Sequence, residues 1–162
     1  MSTSVPPGRR ADEPTLDALG AELRWILLVL ATSAVLMSMI VLLMYTEPGA
    51  PWGAVVTAVV GCALAATAWL IPRRRLAPME PGGRAEPLAS ARTLRSLGIL
   101  VMVVTEVPAV VGIVASVLAA GWLPAFVGGV LATGAMLLLG PTKMRLSAWK
   151  DCLEASGART GL

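Results

Sequence analysis

The amino-acid sequence predicts an all-α integral membrane protein: four transmembrane helices in two hairpins, with short amphipathic helices at both termini. Three observations carry this expectation. The 162 residues are 56% hydrophobic and 14% charged, with mean hydropathy +0.77, whereas soluble domains run at about 45–50% apolar and about 25% charged. Uncharged apolar runs recur at lengths that match a hydrocarbon core of about 30 Å, which takes ~20 helical residues at 1.5 Å each. All 13 Lys and Arg residues fall on one side of the resulting path.

Residues 1–14 hold Pro6-Pro7-Gly8 and mixed charges and are expected to be a disordered cytoplasmic tail. Thr15 is placed to cap a helix whose Leu16, Leu19, Leu23 and Leu27 form one stripe, leading into a first span over about 25–45. A second span follows over about 52–71, so that 15–72 form the first hairpin. Residues 73–95, with three Pro, Gly82-Gly83 and six Arg, are expected to be a cytoplasmic linker, and Ser90 offers a cap for the next helix. The run from 96 to 141 is too long for one helix. Ala120-Gly121-Trp122-Leu123-Pro124 divides it into spans over about 97–119 and 122–139, the second hairpin. Pro141-Thr142 then resembles a helix start. Over 142–162 a cytoplasmic amphipathic helix and tail follow, with Leu146, Trp149 and Leu153 on one stripe opposite Lys143, Lys150 and Asp151. That pattern fits a helix lying on the inner leaflet. Strands are disfavoured because the runs lack the period-2 alternation of a membrane barrel.

Charge sets the expected orientation. Arg9, Arg10 and Arg24 precede the first span, Arg73, Arg74, Arg75, Arg84, Arg92 and Arg95 lie between the hairpins, and Lys143, Arg145, Lys150 and Arg159 follow the fourth. The positive-inside rule puts both termini and the linker in the cytoplasm; the Ala, Gly, Val and Arg bias resembles that of a high-GC bacterium, which implies a bacterial cell (inner) membrane. Trp25, Tyr45, Trp52, Trp69 and Trp122 sit near span ends, where amphipathic rings settle at the interface. A cleaved signal peptide is not expected, because Asp12, Glu13, Asp17 and Glu22 precede the first apolar run. Arg73, Arg74, Arg75, Lys143 and Arg145 are candidate lipid-headgroup contacts.

Small residues mark the faces on which helices approach in lipid. The second span offers Ala54, Ala58, Gly61, Ala65 and Ala68; the third Gly98, Thr105, Ala109, Gly112, Ser116 and Ala120; the fourth Gly128, Ala132 and Ala135. The first span is bulkier, so spans two to four are expected to form the packed core, with the first facing lipid or a partner. The same faces also suit contacts with further copies of the chain or with other membrane subunits.

Chemistry is sparse. The chain has no His and only two Cys, which excludes histidine-ligated metals, histidine-based catalysis and a disulfide framework. No nucleophile elbow, phosphate loop or dinucleotide fingerprint occurs, so no enzyme activity, cofactor, metal or nucleic-acid partner is expected. Glu106 is the one ionisable residue inside a span. A charge at that depth costs ~2.5–3.5 kcal/mol on insertion scales, so a neutral carboxyl donating a hydrogen bond is expected, with Thr57, Thr67, Thr133 or a backbone carbonyl as acceptor. Pro108 frees the carbonyl of Val104, and Thr105 adds a hydroxyl in the same turn. Glu106, Thr105 and Pro108 are thus the candidate proton or ion site. Three roles stay open for it: an interhelical hydrogen bond, loading of a proton or cation, or pairing with a partner's counter-charge.

Thr105-Glu106-Val107-Pro108-Ala109-Val110-Val111-Gly112 resembles the ion-carrying helix of the ATP synthase proteolipid subunit c, where a midmembrane acid precedes small and aliphatic residues. That resemblance implies an ion-binding carboxyl. Over about Ala91–Leu153 the chain is also similar to small four-span bacterial membrane proteins, through Glu106, Ala109, Pro141, Thr142 and Arg145. That likeness implies the four-helix fold and no particular activity. The expected function is a structural or accessory subunit of a membrane assembly, or alternatively a small proton- or cation-coupled channel or transporter component built on Glu106.

Overall fold

The computed structural model describes residues 15–78, 87–157 and 160. The expected disordered tail, 1–14, lies outside the described residues, as does much of the linker. Among the described residues the chain is wholly helical: α1 Leu16–Met44, α2 Pro51–Arg75, α3 Pro87–Ala119, α4 Leu123–Leu139 and α5 Lys143–Glu154.

Three helices are long and apolar enough to cross a bilayer. With 29, 25 and 33 residues, α1, α2 and α3 exceed the ~20 residues a membrane needs. Their surplus lies at the basic end. The amphipathic helix expected after Thr15 and the first span are one continuous helix, capped as expected by Thr15 Oγ1 accepting from Ala18 N at 3.2 Å. The linker is shorter than expected: α2 continues through Pro72 to Arg75 and α3 starts at Pro87. Ser90 therefore lies inside α3 and is no cap; its hydroxyl is buried without a hydrogen-bond partner. The 17 residues of α4 reach only about 25 Å, short of a full hydrocarbon core. A fourth crossing follows if α4 and α5, bent by 55° at their break, count as one span.

The centre of the bundle is α3. Of its most apolar window 44% is buried, against 11% for α1 and 17% for α2. Helices α2 and α4 pack on α3 and on each other, while α1 lies against α3 and α4 and scarcely meets α2. Chain neighbours of the first hairpin are therefore not packing partners. The bulky faces of α1, such as Trp25, Leu43 and Met44, stay exposed, as a lipid-facing or partner-facing helix requires.

Two kinds of interior result. In the middle of the spans, backbones meet through small residues. Gly112 and Gly128 face each other across α3 and α4, and a Cβ on Gly112 would lie 2.6 Å from Pro124 O and 3.1 Å from Gly128 Cα. Ala109, Ser116, Gly128 and Ala132 are buried as expected. On α2, however, Gly53, Thr57, Gly61, Ala68 and Pro72 are the buried residues. Ala58 and Ala65 are only half-buried and Ala120 is exposed. The side chains of Pro124 and Leu131 occupy the space beside Gly53 and Gly61, so the line of closest approach follows the glycines and not the alanines.

At the basic end the interior is built from large residues. Leu19 and Leu23 of α1, Ala68 of α2 with Leu76 beyond it, Leu94 and Leu97 of α3, and Leu146, Trp149 and Leu153 of α5 form one buried cluster. This corrects the expectation for α5. Its apolar stripe is covered by the protein, not laid on lipid. Apolar surface finds the same release from water against leucines as against acyl chains; at the surface Lys143 Nζ of α5 pairs with Asp17 Oδ1 of α1 at 2.9 Å, and Arg95 of α3 with Glu22 of α1 at 2.5 Å. The Lys143 hydrogen bond and charge hold the Asp17 carboxyl below its ordinary range. Lys143, expected to meet lipid headgroups, is thus engaged within the chain.

At the other end α3 closes in a Schellman-type turn: Ala120 takes φ 50° and Gly121 N donates to Ser116 O at 3.1 Å. An L-residue in that left-handed position is strained by ~1–2 kcal/mol. Ala120→Gly is expected to stabilise the fold by about 0.5–1 kcal/mol, the strain relief less glycine's entropy, read as a higher thermal midpoint in detergent. A lower midpoint would contradict the assigned turn.

Candidate functional site

The candidate site forms where α1 crosses α3. Residues 29 to 44 of α1 are Leu, Val, Met and Ile relieved by a few small residues, of which Ala34 is buried and packs with Ala109 and Ala132. Ser33, next to Ala34, is thereby turned toward α3. Its Oγ donates to Leu30 O at 2.8 Å and also lies in hydrogen-bond reach of Glu106 Oε1, at 3.2 Å. Glu106 is half-buried at this contact.

One hydroxyl carries a single hydrogen. Ser33 cannot give that hydrogen fully to both acceptors, and the shorter contact is with its own helix. The Glu106 contact is therefore the longer arm of a hydroxyl shared between a carbonyl of α1 and the carboxyl of α3.

The neighbours named by sequence do not join this pair. Thr105 is buried, and its hydroxyl donates within α3 to Val101 O at 3.0 Å or Met102 O at 2.8 Å. Thr57 and Thr67 donate to Gly53 O and Ala63 O of their own helix. Thr133 Oγ1 is buried without a partner. Pro108 serves packing: Gly61 lies against its ring, and a Cβ on Gly128 would collide with its carbonyl. Helix α3 runs unbroken through it. Ser33 is the residue that sequence reading missed. Its signal was a short polar side chain beside Ala34 in an otherwise bulky run.

Two further features complete the apolar part of the bundle. Ser116, fully buried on α3, accepts from Ala125 N at 2.8 Å. It thereby caps the start of α4, whose own N-cap residue, Trp122, supplies no side-chain bond. A cleft of about 470 Å³ opens between α1 and α4, lined by Val35, Ser38, Phe126, Gly129 and Thr133 among others, with no ionisable side chain in its wall. Among the described residues no group of His, Cys, Asp or Glu is arranged to hold a metal ion. No protein-family model, curated protein or solved structure matches the chain.

Proposed function

We propose that this is a non-enzymatic, multi-pass membrane protein that acts as a structural or accessory subunit, in which Glu106 is a hydrogen-bonded latch joining α1 to the α2–α4 core. In this reading the chain crosses a bacterial cell membrane four times. Its termini and central joint are cytoplasmic, because every basic residue lies on that side. The Ser33–Glu106 contact carries the proposal. The one acid inside the spans meets a hydroxyl of a neighbouring helix, and among the described residues no ion pair includes it. A hydrogen bond of this kind between membrane helices contributes about 0.6–2 kcal/mol, enough to bias how α1 sits. Further copies of the chain, or other membrane subunits, would find the exposed outer face of α1 available.

A second reading keeps Glu106 as a proton or cation carrier, favoured by its being half-buried and not sealed. The two separate in proteoliposomes. With Glu106→Gln, whose amide oxygen still accepts from Ser33, the latch reading expects an unchanged thermal midpoint and a proton leak equal to that of the unaltered protein. Loss of a measurable flux in the Gln variant would overturn the latch reading and install the carrier. Glu106→Leu, which removes the acceptor, is expected to lower the midpoint by an amount equivalent to about 1 kcal/mol.

A further inference from the structure

We propose that the end of α2 is a docking site for the headgroups of anionic phospholipids, held by Arg73, Arg74 and Arg75 with Arg24 of α1. This rests on the membrane reading above.

The first observation is an imbalance of charge. At the basic end, Asp17 is taken by Lys143, Glu22 by Arg95, and Glu154 accepts from Thr160 N and Oγ1 at 2.8 and 2.6 Å, while the exposed Asp151 lies on α5, away from the α2 arginines in sequence. Arg24, Arg74 and Arg75 are exposed, and among the described residues none has an ion pair. The second is their placement. Leu23 and Leu76 belong to one buried cluster, so Arg24 and the α2 arginines flank the same end of the bundle. The third is depth. The Arg73 guanidinium stacks 3.7 Å above the Trp69 ring, one turn back along α2 toward the apolar span. Trp69 and Trp25 are themselves exposed, at 47% and 70%, as rings at the membrane–water boundary are.

A guanidinium stacked on a ring keeps its in-plane N–H groups free at the edges, and these form the bidentate fork that matches a phosphate. Unpaired cations at the boundary, one of them folded back to the level of the interfacial ring, therefore meet phosphodiesters. A soluble polyanion would reach Arg74 and Arg75 but not the lipid-side edge of Arg73. Arginine beside an anionic leaflet is attracted strongly enough that three such residues change affinity by about a hundredfold at low salt.

The test is lipid retention by the full chain, measured by native mass spectrometry from micelles doped with phosphatidylglycerol or phosphatidylcholine of equal chain length. The unaltered protein is expected to retain phosphatidylglycerol preferentially. The triple variant R73Q/R74Q/R75Q is expected to lose that preference by about ten- to a hundredfold at low salt, and Glu47→Gln at the opposite end to keep it. Equal retention of the two lipids by the unaltered protein, or an unchanged preference in the triple variant, would overturn the proposal. So would displacement of phosphatidylglycerol by an RNA oligonucleotide. If the triple variant loses helical circular dichroism, a salt titration of the unaltered protein decides instead: the preference must fall several-fold by 0.5 M salt. Failure of the membrane reading would look different, as a chain that stays in solution without detergent and takes up neither lipid from the micelles.

Discussion

Gly128→Ala is expected to destabilise the bundle by about 2–3 kcal/mol, the upper part of the range for overpacking a tight contact. The added methyl would be driven into the carbonyl of Pro108 and would lie 3.0 Å from Gly112 Cα. Both obstacles are backbone, so no side-chain rotation relieves them. Helices α3 and α4 must separate, and separation also stretches the bond from Ala125 N to Ser116 Oγ. Thermal unfolding in detergent measures the loss. Gly134→Ala is the internal control, because a Cβ there meets nothing within 4 Å; its midpoint should hold or rise slightly. Equal effects at the two glycines would remove the α3–α4 crossing from the description.

Leu146→Ala should cost about 2–5 kcal/mol, as for a fully buried leucine truncated in a packed core. The side chain is 0% exposed, within the cluster that also holds Leu23 and Leu94. The comparison with Met144, which is 77% exposed on the same helix, separates two pictures of α5. Were α5 lying on lipid, Leu146→Ala and Met144→Ala would weaken membrane attachment and leave the midpoint nearly alone. Docked on the bundle, Leu146→Ala lowers the midpoint and opens the segment around Gly140-Pro141-Thr142 to limited proteolysis, while Met144→Ala does neither.

The elements themselves were legible because each apolar run ends in chemistry that stops a membrane helix: Arg73 to Arg75, the Gly121 turn, Pro141-Thr142. Thr15 and Thr142 cap as their positions imply, with Ala18 N and Arg145 N as donors. What periodicity could not supply was the identity of the surface a stripe meets. Leu146, Trp149 and Leu153 have the same pattern whether lipid or leucines cover them, and only the folded path shows Leu19 and Leu94 arriving there. The same limit applied on α2, where alanine and glycine lines run side by side and the partner side chains choose between them. At the candidate site Glu106 stood out because nothing else charged lies in the spans. Its partner did not, because serine is unremarkable by hydropathy and the approach of α1 to α3 joins residues 73 apart in sequence.

The two turns at the end away from the arginines are stitched together. Ala50 N donates to Ala119 O at 3.1 Å, Trp122 N to Glu47 O at 3.2 Å, and Leu123 N to Pro48 O at 3.3 Å, while Gly49, at φ 79°, abuts Gly121 with no room for a side chain on either. This seam makes inserted tags a poor probe of sidedness there, since a peptide spliced in at Gly49 would unpick the very geometry whose location is sought. A single cysteine in place of the exposed Glu47 side chain, whose backbone carbonyl alone takes part in the stitching, would report which compartment that end faces and leave the seam closed.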